Sequence, residues 1–221
     1  MKVIVSWSGG KDSAYAYYLA KQQGHQVVSF LTMMLSEEKS NFHMIPANII
    51  DVQANLAGVL LVKKSTSAQT YETDFKTVLT DLKNKGAEGL VTGDICEPAG
   101  HEQGWMDRVC SEIGLNPIKP LWMSNTSQVY QDYLKSGLTA VVVRTNQSLT
   151  DWLGRVLDDH FYTDIQKLSG VDPCGEGGEY HTLITDGPDF KEKIELIETE
   201  KKRLDNGSGF LEIKEWKLTP K

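Results

Sequence analysis

Cysteine is scarce and odd in number: Cys96, Cys110 and Cys174 are the only three in 221 residues, and they lie far apart. That excludes a disulfide framework and a Cys-x-x-Cys metal pair. Each thiol is expected as a small buried or half-buried side chain. No apolar run approaches the roughly 20 residues that cross a bilayer. The N-terminus enters Val3-Ile4-Val5 and a glycine turn without an apolar stretch and cleavage site, so no membrane association or export is expected and the expected compartment is the cytoplasm. Basic charge is also lacking, with 23 Lys and Arg against 30 Asp and Glu, a net of -7. The scattered positive residues provide no footprint for nucleic acid. There is no repeat, low-complexity tract or flexible linker. An apolar content of 40% and a charged content of 24% leave a soluble globular chain, long enough for one large domain or one plus a smaller one.

What is present begins at Val3-Ile4-Val5-Ser6-Trp7, a short strand running directly into Ser8-Gly9-Gly10-Lys11-Asp12-Ser13 and then a helical pattern. Gly9 and Gly10 can take positive φ and have no Cβ, so successive N–H groups can turn around an anion. The following helix adds unpaired donors and the positive end of its dipole. Ser8 and Ser13 add hydroxyls, Lys11 a positive charge, and Asp12 a carboxylate suited to Mg²⁺ beside phosphate oxygens. The turn reads as a polyphosphate site, yet it is neither Gly-x-x-x-x-Gly-Lys-Ser/Thr nor Gly-x-Gly-x-x-Gly.

The rest of the first two-thirds alternates. Helical patterns are expected at residues 13–23, 45–57, 70–85, 103–112 and 126–135, several closed by glycine; strands are expected at 26–34, 59–62, 89–92 and 139–144, with a short extended piece at 117–120 and a polar loop at 36–41. This rhythm predicts a doubly wound, mostly parallel α/β sheet, whose ligands bind beyond the strand C-termini. Residues 8–13, 32–34, and Gly93-Asp94 fall there. Past about residue 145 the rhythm breaks. One or two helical turns are expected at 151–156 and another at 161–168, then strands at 182–184 and 209–218, with 191–200 ambiguous. The expected division is a first domain at 1–140 and a smaller α+β lobe at 141–221.

Two further constellations carry chemistry. Asp172-Pro173-Cys174-Gly175-Glu176-Gly177-Gly178-Glu179-Tyr180-His181-Thr182 crowds carboxylates and glycines together with no Lys or Arg among them. Such carboxylates need a cation, protons or a donor-rich ligand. Glu176 and Glu179 are candidates for general base, metal ligand or substrate clamp, and His181 for proton movement. An exposed acidic turn is the plain alternative. Gly93-Asp94 would meet the nucleotide, with Asp94 on a ribose hydroxyl, a metal or an amine. His101, Trp105 and Arg108 share one helical face, where core packing for Trp105 and a surface ion pair for Arg108 are the ordinary expectations. His43, after Phe42, lies in a loop that should face the nucleotide.

Ser8-Gly9-Gly10-Lys11-Asp12-Ser13 after an N-terminal strand resembles the PP-loop of the ATP pyrophosphatases. With His43, Gly93-Asp94-Ile95, Arg108-Val109-Cys110, Gly114-Leu115, Pro120-Leu121-Trp122 and Gly175-Glu176-Gly177-Gly178-Glu179-Tyr180, the chain resembles the diphthine–ammonia ligase (diphthamide synthase) family over almost its whole length. The resemblance implies a Rossmann-like fold of the adenine nucleotide α-hydrolase type, with 1–140 as an ATP-binding domain and 141–221 as an acceptor-binding lobe. It implies ATP and Mg²⁺, adenylation of a carboxylate with loss of pyrophosphate, and attack by ammonia with loss of AMP. The implied acceptor is diphthine on elongation factor 2, with free ammonium as nitrogen source because no glutaminase segment is evident. Lys11, Asp12, Glu176 and Glu179 would be catalytic, with Asp12 on the metal. Ser8, Gly9, Gly10, Ser13, His43, Gly93 and Asp94 would hold the nucleotide, and Gly175, Gly177, Gly178, Tyr180 and His181 would join the two glutamates at the acceptor. His181 departs from the pattern, since the ligases tend to carry glutamate there, so the nucleotide chemistry transfers more firmly than the acceptor. Other readings on this scaffold are an AMP-forming enzyme with a different acceptor, such as tRNA or a small carboxylate, and a nucleotide-binding module without catalysis. Both monomer and homodimer are open.

Overall fold

The computed structural model describes residues 1–34, 43–97 and 102–221. The strands β1 (Lys2–Ser6), β2 (Gln26–Met34), β3 (Leu60–Ser65), β4 (Gly89–Val91) and β5 (Asn116–Ile118) are all parallel and lie in the order β3-β2-β1-β4-β5. Between and after them run α1 (Lys11–Gln22), α2 (Ala47–Ala57), α3 (Tyr71–Asn84), α4 (Trp105–Ile113) and α5 (Thr126–Lys135).

Alternation along the strands builds the layers, because successive side chains point to opposite faces. Val3, Val5, Phe30 and Val91 pack with Ala14 and Ala16 of α1 and with Ile49 and Ile50 of α2. Ile4, Leu31 and Leu90 face the other way, into Phe75 and Leu79 of α3 and Met106 and Val109 of α4. Strand order reverses beside β1: β2 and β3 extend one side, β4 and β5 the other. The crevice at such a reversal, beyond the strand C-termini, is where doubly wound sheets bind ligands. Here it is flanked by Trp7 and Ser8 after β1 and by Thr92 and Gly93 after β4.

A second sheet is antiparallel and contains β6 (Thr139–Thr145), β7 (Tyr180–Asp186), β8 (Lys193–Arg203) and β9 (Gly209–Thr219) in the order β7-β6-β9-β8. Strand β6, which continues the β-α rhythm in sequence, therefore belongs to this sheet. Its Val142 and β7's Leu183 share one core with Val5 and Trp7, so the lobe packs on the face covered by α1 and α2.

The helical turn expected at 151–156 is instead a 3-10 turn at Gln147–Trp152. The Asn146 carboxamide oxygen accepts the Ser148 N–H at 3.0 Å and starts it early, and Gly154, at φ +82°, turns the chain back so that Val156 bridges Val141. Helix α6 (Asp159–Ile165) likewise begins ahead of expectation because Asp158 caps it, accepting the Phe161 N–H at 2.7 Å. The ambiguous stretch at 191–200 is strand from Lys193 onward, its charges set against β9 as in Lys214–Glu200 at 2.8 Å. The loop expected at 36–41, Phe42 and His101 lie outside the described residues. Among the described residues no helix is long and apolar enough to cross a membrane.

Candidate active site

Strand β1 delivers Trp7, which is buried and stacked on Phe30 with ring centroids 4.1 Å apart. The chain then turns through Ser8 and Gly9 into α1. Gly9 sits at φ +82°, and a Cβ there would lie 2.6 Å from Ile50 Cδ1. Gly10, which as glycine could share a positive φ, is extended at φ -97°. It is glycine for space: a Cβ would lie 2.6 Å from His43 Cε1 and 3.0 Å from the Thr182 carbonyl oxygen. Hydroxyls hold the turn closed, with Ser8 Oγ and Ser13 Oγ 3.1 Å apart, Ser13 Oγ donating to the Gly10 carbonyl at 3.0 Å, and the Gly10 N–H donating to Ser8 Oγ at 3.3 Å. Gly10 is the N-cap of α1 and contributes no side-chain cap, so the first turn presents N–H groups and the positive dipole end to the crevice.

The antiparallel lobe is bonded directly to this turn. The Ile184 N–H donates to the Gly9 carbonyl at 2.8 Å, the Lys11 N–H to Thr182 Oγ1 at 2.9 Å, and His43 Nδ1 lies 3.1 Å from the Thr182 carbonyl oxygen. Gln53, fully buried on α2, donates through Nε2 to both Gly9 O (3.0 Å) and Ile184 O (2.8 Å) while Oε1 accepts the Trp7 indole N–H at 3.0 Å. The Lys11 side chain, 4% exposed, crosses to the same lobe: Nζ meets both Asp12 oxygens at 2.7 and 2.8 Å, donates to the Cys174 carbonyl, and lies 5.5 Å from the Tyr180 ring centre. Burial alone would lower its pKa, but Asp12, Cys174 and Glu176 outweigh this and raise it to about 12.

Residues 172–179 form a compact loop around Asp172. One Asp172 oxygen accepts the Cys174 N–H at 2.7 Å and the other the Thr126 hydroxyl at 2.7 Å. Gly175, at φ +81°, lets the chain pass under Tyr180, where a Cβ would lie 2.8 Å from the Tyr180 carbonyl oxygen. Tyr180 is buried and its hydroxyl donates to the Pro173 carbonyl. Glu179 is also buried, at 6% exposure; Oε1 accepts the Asp172 N–H at 2.9 Å. Glu176 sits at the accessible edge, but its carboxyl group is crowded. Desolvation, then the Asp12 charge, push it up to about 7, a shift that water on the open side partly screens.

His43 and His181 lie face to face at a tilt, ring centroids 4.9 Å apart. Burial, followed by His43 and Arg144, takes His181 down to about 3, and burial lowers His43 as well. Both imidazoles are therefore neutral near pH 7, each with one donor and one acceptor nitrogen, and supply no charge.

Ser8, Gly9, Gly10, Lys11, Asp12, Ser13, His43 and residues 174–182 thus meet in one place. Gly93 reaches it differently than expected: the neighbour it admits is α1, since a Cβ would lie 2.5 Å from the Asp12 carbonyl carbon and 2.7 Å from the Ser13 nitrogen. Asp94 bonds back to Thr92, whose hydroxyl it accepts and whose Oγ1 receives its N–H at 3.1 Å. Cys96, expected to be at least half-buried, is exposed, with Sγ 3.5 Å from Glu176 Oε2. Trp105 is buried and donates to Glu72 at 2.8 Å, while Arg108 pairs with Glu72, Glu102 and Glu112, so this helix face is structural. Sequence reading missed Gln53. Its signal was a polar residue at helical spacing on the apolar face of Ile49, Ile50 and Ala54.

A family model described as the diphthamide synthase N-terminal domain matches residues 1–117, and one described as the diphthamide synthase C-terminal domain matches residues 125–219. The diphthine–ammonia ligase of Bos taurus is 27% identical over 221 residues, covering 88% of this chain and 82% of that protein. That of Homo sapiens is 26% identical with the same coverage of 88% and 82%. That of Schizosaccharomyces pombe is 27% identical over 245 residues, covering 97% of this chain and 39% of that protein. A solved chain from Methanocaldococcus jannaschii, described as a predicted subunit of tRNA methyltransferase, superposes at a TM-score of 0.48 with 16% identity, over 85% of this chain and 98% of that one.

Proposed function

Because the chain belongs to the diphthamide synthase family across both of its domains, we propose that it is an ATP-dependent ligase that adenylates a carboxylate and aminates it with ammonia. The acceptor we assign is diphthine on elongation factor 2. The observation that carries this reading is the direct bonding of the α1 N-terminus to β7 and the 172–179 loop, through Gly9–Ile184, Lys11–Thr182 and Lys11–Cys174. A nucleotide held at the first would lie beside an acceptor held at the second.

In the first step a carboxylate oxygen attacks the α-phosphorus of ATP, the bond between α- and β-phosphates breaks, and pyrophosphate leaves with the electron pair. The leaving group gathers negative charge, and the α1 N-terminus with Ser8, Gly9, Gly10 and Ser13 would meet it with donors once the hydroxyl bonds that close the turn are exchanged for phosphate oxygens, each donor worth about 3 kcal/mol where well aimed. His43, Gly93 and Asp94 border the nucleotide. Mg²⁺ suits the donor set: Asp12 keeps lone pairs beyond those that Lys11 occupies, and this ion takes one or two carboxylates plus phosphate oxygens and water. When bound it would screen the pyrophosphate charge. Lys11 acts on the carboxylate of Asp12 and on the loop.

In the second step the ammonia nitrogen attacks the acyl carbon, the bond from that carbon to the phosphate oxygen breaks, and AMP leaves. Glu176, with its pKa raised to about 7, takes the proton that the nitrogen gives up. Gly175, Gly177, Gly178, Tyr180 and His181 shape the acceptor side. Incubation with ATP, Mg²⁺ and ammonium, with and without diphthine-bearing elongation factor 2, tests the whole reading. AMP and pyrophosphate formed only with that acceptor support it; AMP formed with another carboxylate alone replaces the acceptor, and no AMP with any acceptor overturns the ligase.

A further inference from the structure

Among the carboxylate oxygens of the 172–179 loop, one is buried and unmatched. Asp172 spends both oxygens, on the Cys174 N–H and the Thr126 hydroxyl. Glu176 Oε2 receives the Cys96 thiol. Glu179 Oε1 receives the Asp172 N–H at 2.9 Å, but Glu179 Oε2 is buried without a hydrogen-bond partner among the described residues. A carboxylate oxygen stripped of water and unpaired is costly, and the cost is relieved by a donor or a cation. Gly177 lies over the carboxylate, and a Cβ on it would stand 2.6 Å from Oε1 and 3.1 Å from Oε2, while Gly177 itself is exposed. At Gly177 the carboxylate is thus covered by backbone that carries no side chain.

We propose that Glu179 Oε2, under the bare backbone of Gly177, is the binding site for the ammonium ion that supplies the nitrogen. The proposal rests on the ligase reading above for the use of that nitrogen, though the site itself is defined by the loop alone. Ammonium is about as small as a water molecule, carries positive charge, and has N–H donors for the unpaired oxygen. Potassium has nearly the same size but no donors, which separates hydrogen bonding from simple cation affinity.

The test uses the full chain without ATP or acceptor. Thermal unfolding is followed in ammonium, potassium and sodium chloride at fixed ionic strength for wild type, Glu179→Gln and Gly177→Ala. Gly177 does not sit at positive φ, so alanine there disturbs the carboxylate rather than the backbone and serves if Glu179→Gln folds poorly. Saturable stabilisation of wild type by ammonium is expected, weaker with potassium and absent with sodium. The apparent affinity should fall at least about tenfold in both variants, the scale of one hydrogen bond to a charged group. Equal responses of wild type and variants, or of ammonium and sodium or potassium, overturn the site. AMP formation is assayed separately. Ammonium binding without AMP formation overturns the ligase reading and leaves this site standing, whereas AMP formation with an unaltered ammonium response in the variants does the reverse.

Discussion

The ammonium group of Lys11 donates to the backbone carbonyl of Cys174 while holding both oxygens of Asp12. One side chain at the start of α1 therefore fixes the acidic loop of the other lobe, 163 residues further along the chain.

Lys11→Met keeps the volume and removes the tie. A buried ion pair that loses one partner costs several kcal/mol, less here because Asp12 is partly exposed, so a loss of about 1–3 kcal/mol is expected. Hydrogen exchange of the Gly175, Glu176, Gly177 and Gly178 amides should accelerate, and KM for the acceptor should rise more than KM for ATP. A rise confined to ATP would instead make Lys11 a phosphate contact.

Gly10→Ala places a methyl against His43 and the Thr182 carbonyl oxygen, at 2.6 and 3.0 Å. The imidazole can rotate away but the strand backbone cannot. Overpacking of this kind costs about 1–3 kcal/mol, and calorimetric ATP affinity should fall with it.

Gln53 has three hydrogen bonds whose polarity only an amide satisfies. Gln53→Leu should destabilise by about 2–4 kcal/mol in urea unfolding, from unpaired buried groups. Gln53→Glu should be worse, since a carboxylate cannot donate to the Gly9 and Ile184 carbonyls and brings a buried charge.

Amination should increase with pH through about 7 as Glu176 loses its proton, and Glu176→Gln should abolish that limb in a pH profile of amide formation. Stability moves the other way: a carboxyl raised from 4.5 to about 7 contributes fully below pH 4.5 and loses its contribution as pH rises through 7.

His181, lowered from 6.5 to about 3, contributes stability above pH 6.5 that is lost as pH falls toward 3. His181→Gln should therefore flatten the acid limb of stability measured by denaturant midpoint between pH 6.5 and 4. An unchanged limb would place the acid sensitivity elsewhere.

Much of the architecture was legible in the chain because its signals are local. Apolar residues on alternating faces of β1, glycine stops after helices, and the strand-turn-helix at Ser8 and Gly9 all act within a few residues. Membership of β6 in the antiparallel sheet was not legible, because a β-branched run fits either sheet until its partners are known. Gly10 and Gly93 illustrate the same limit: each is glycine because a distant element, His43 with β7 or the start of α1, comes within reach of a Cβ.

By itself the sequence determined that a glycine turn between a strand and a helix opens the chain and that a glycine-rich acidic stretch lies far downstream. Composition and short-range stereochemistry suffice for both. Only the tertiary structure decided that the two meet, that Lys11 faces Asp12 and Cys174, and that Glu179 keeps an oxygen unpaired among the described residues. Those facts depend on which buried donors find which acceptors once two sheets share a core, and long-range pairing leaves no local trace in the order of residues.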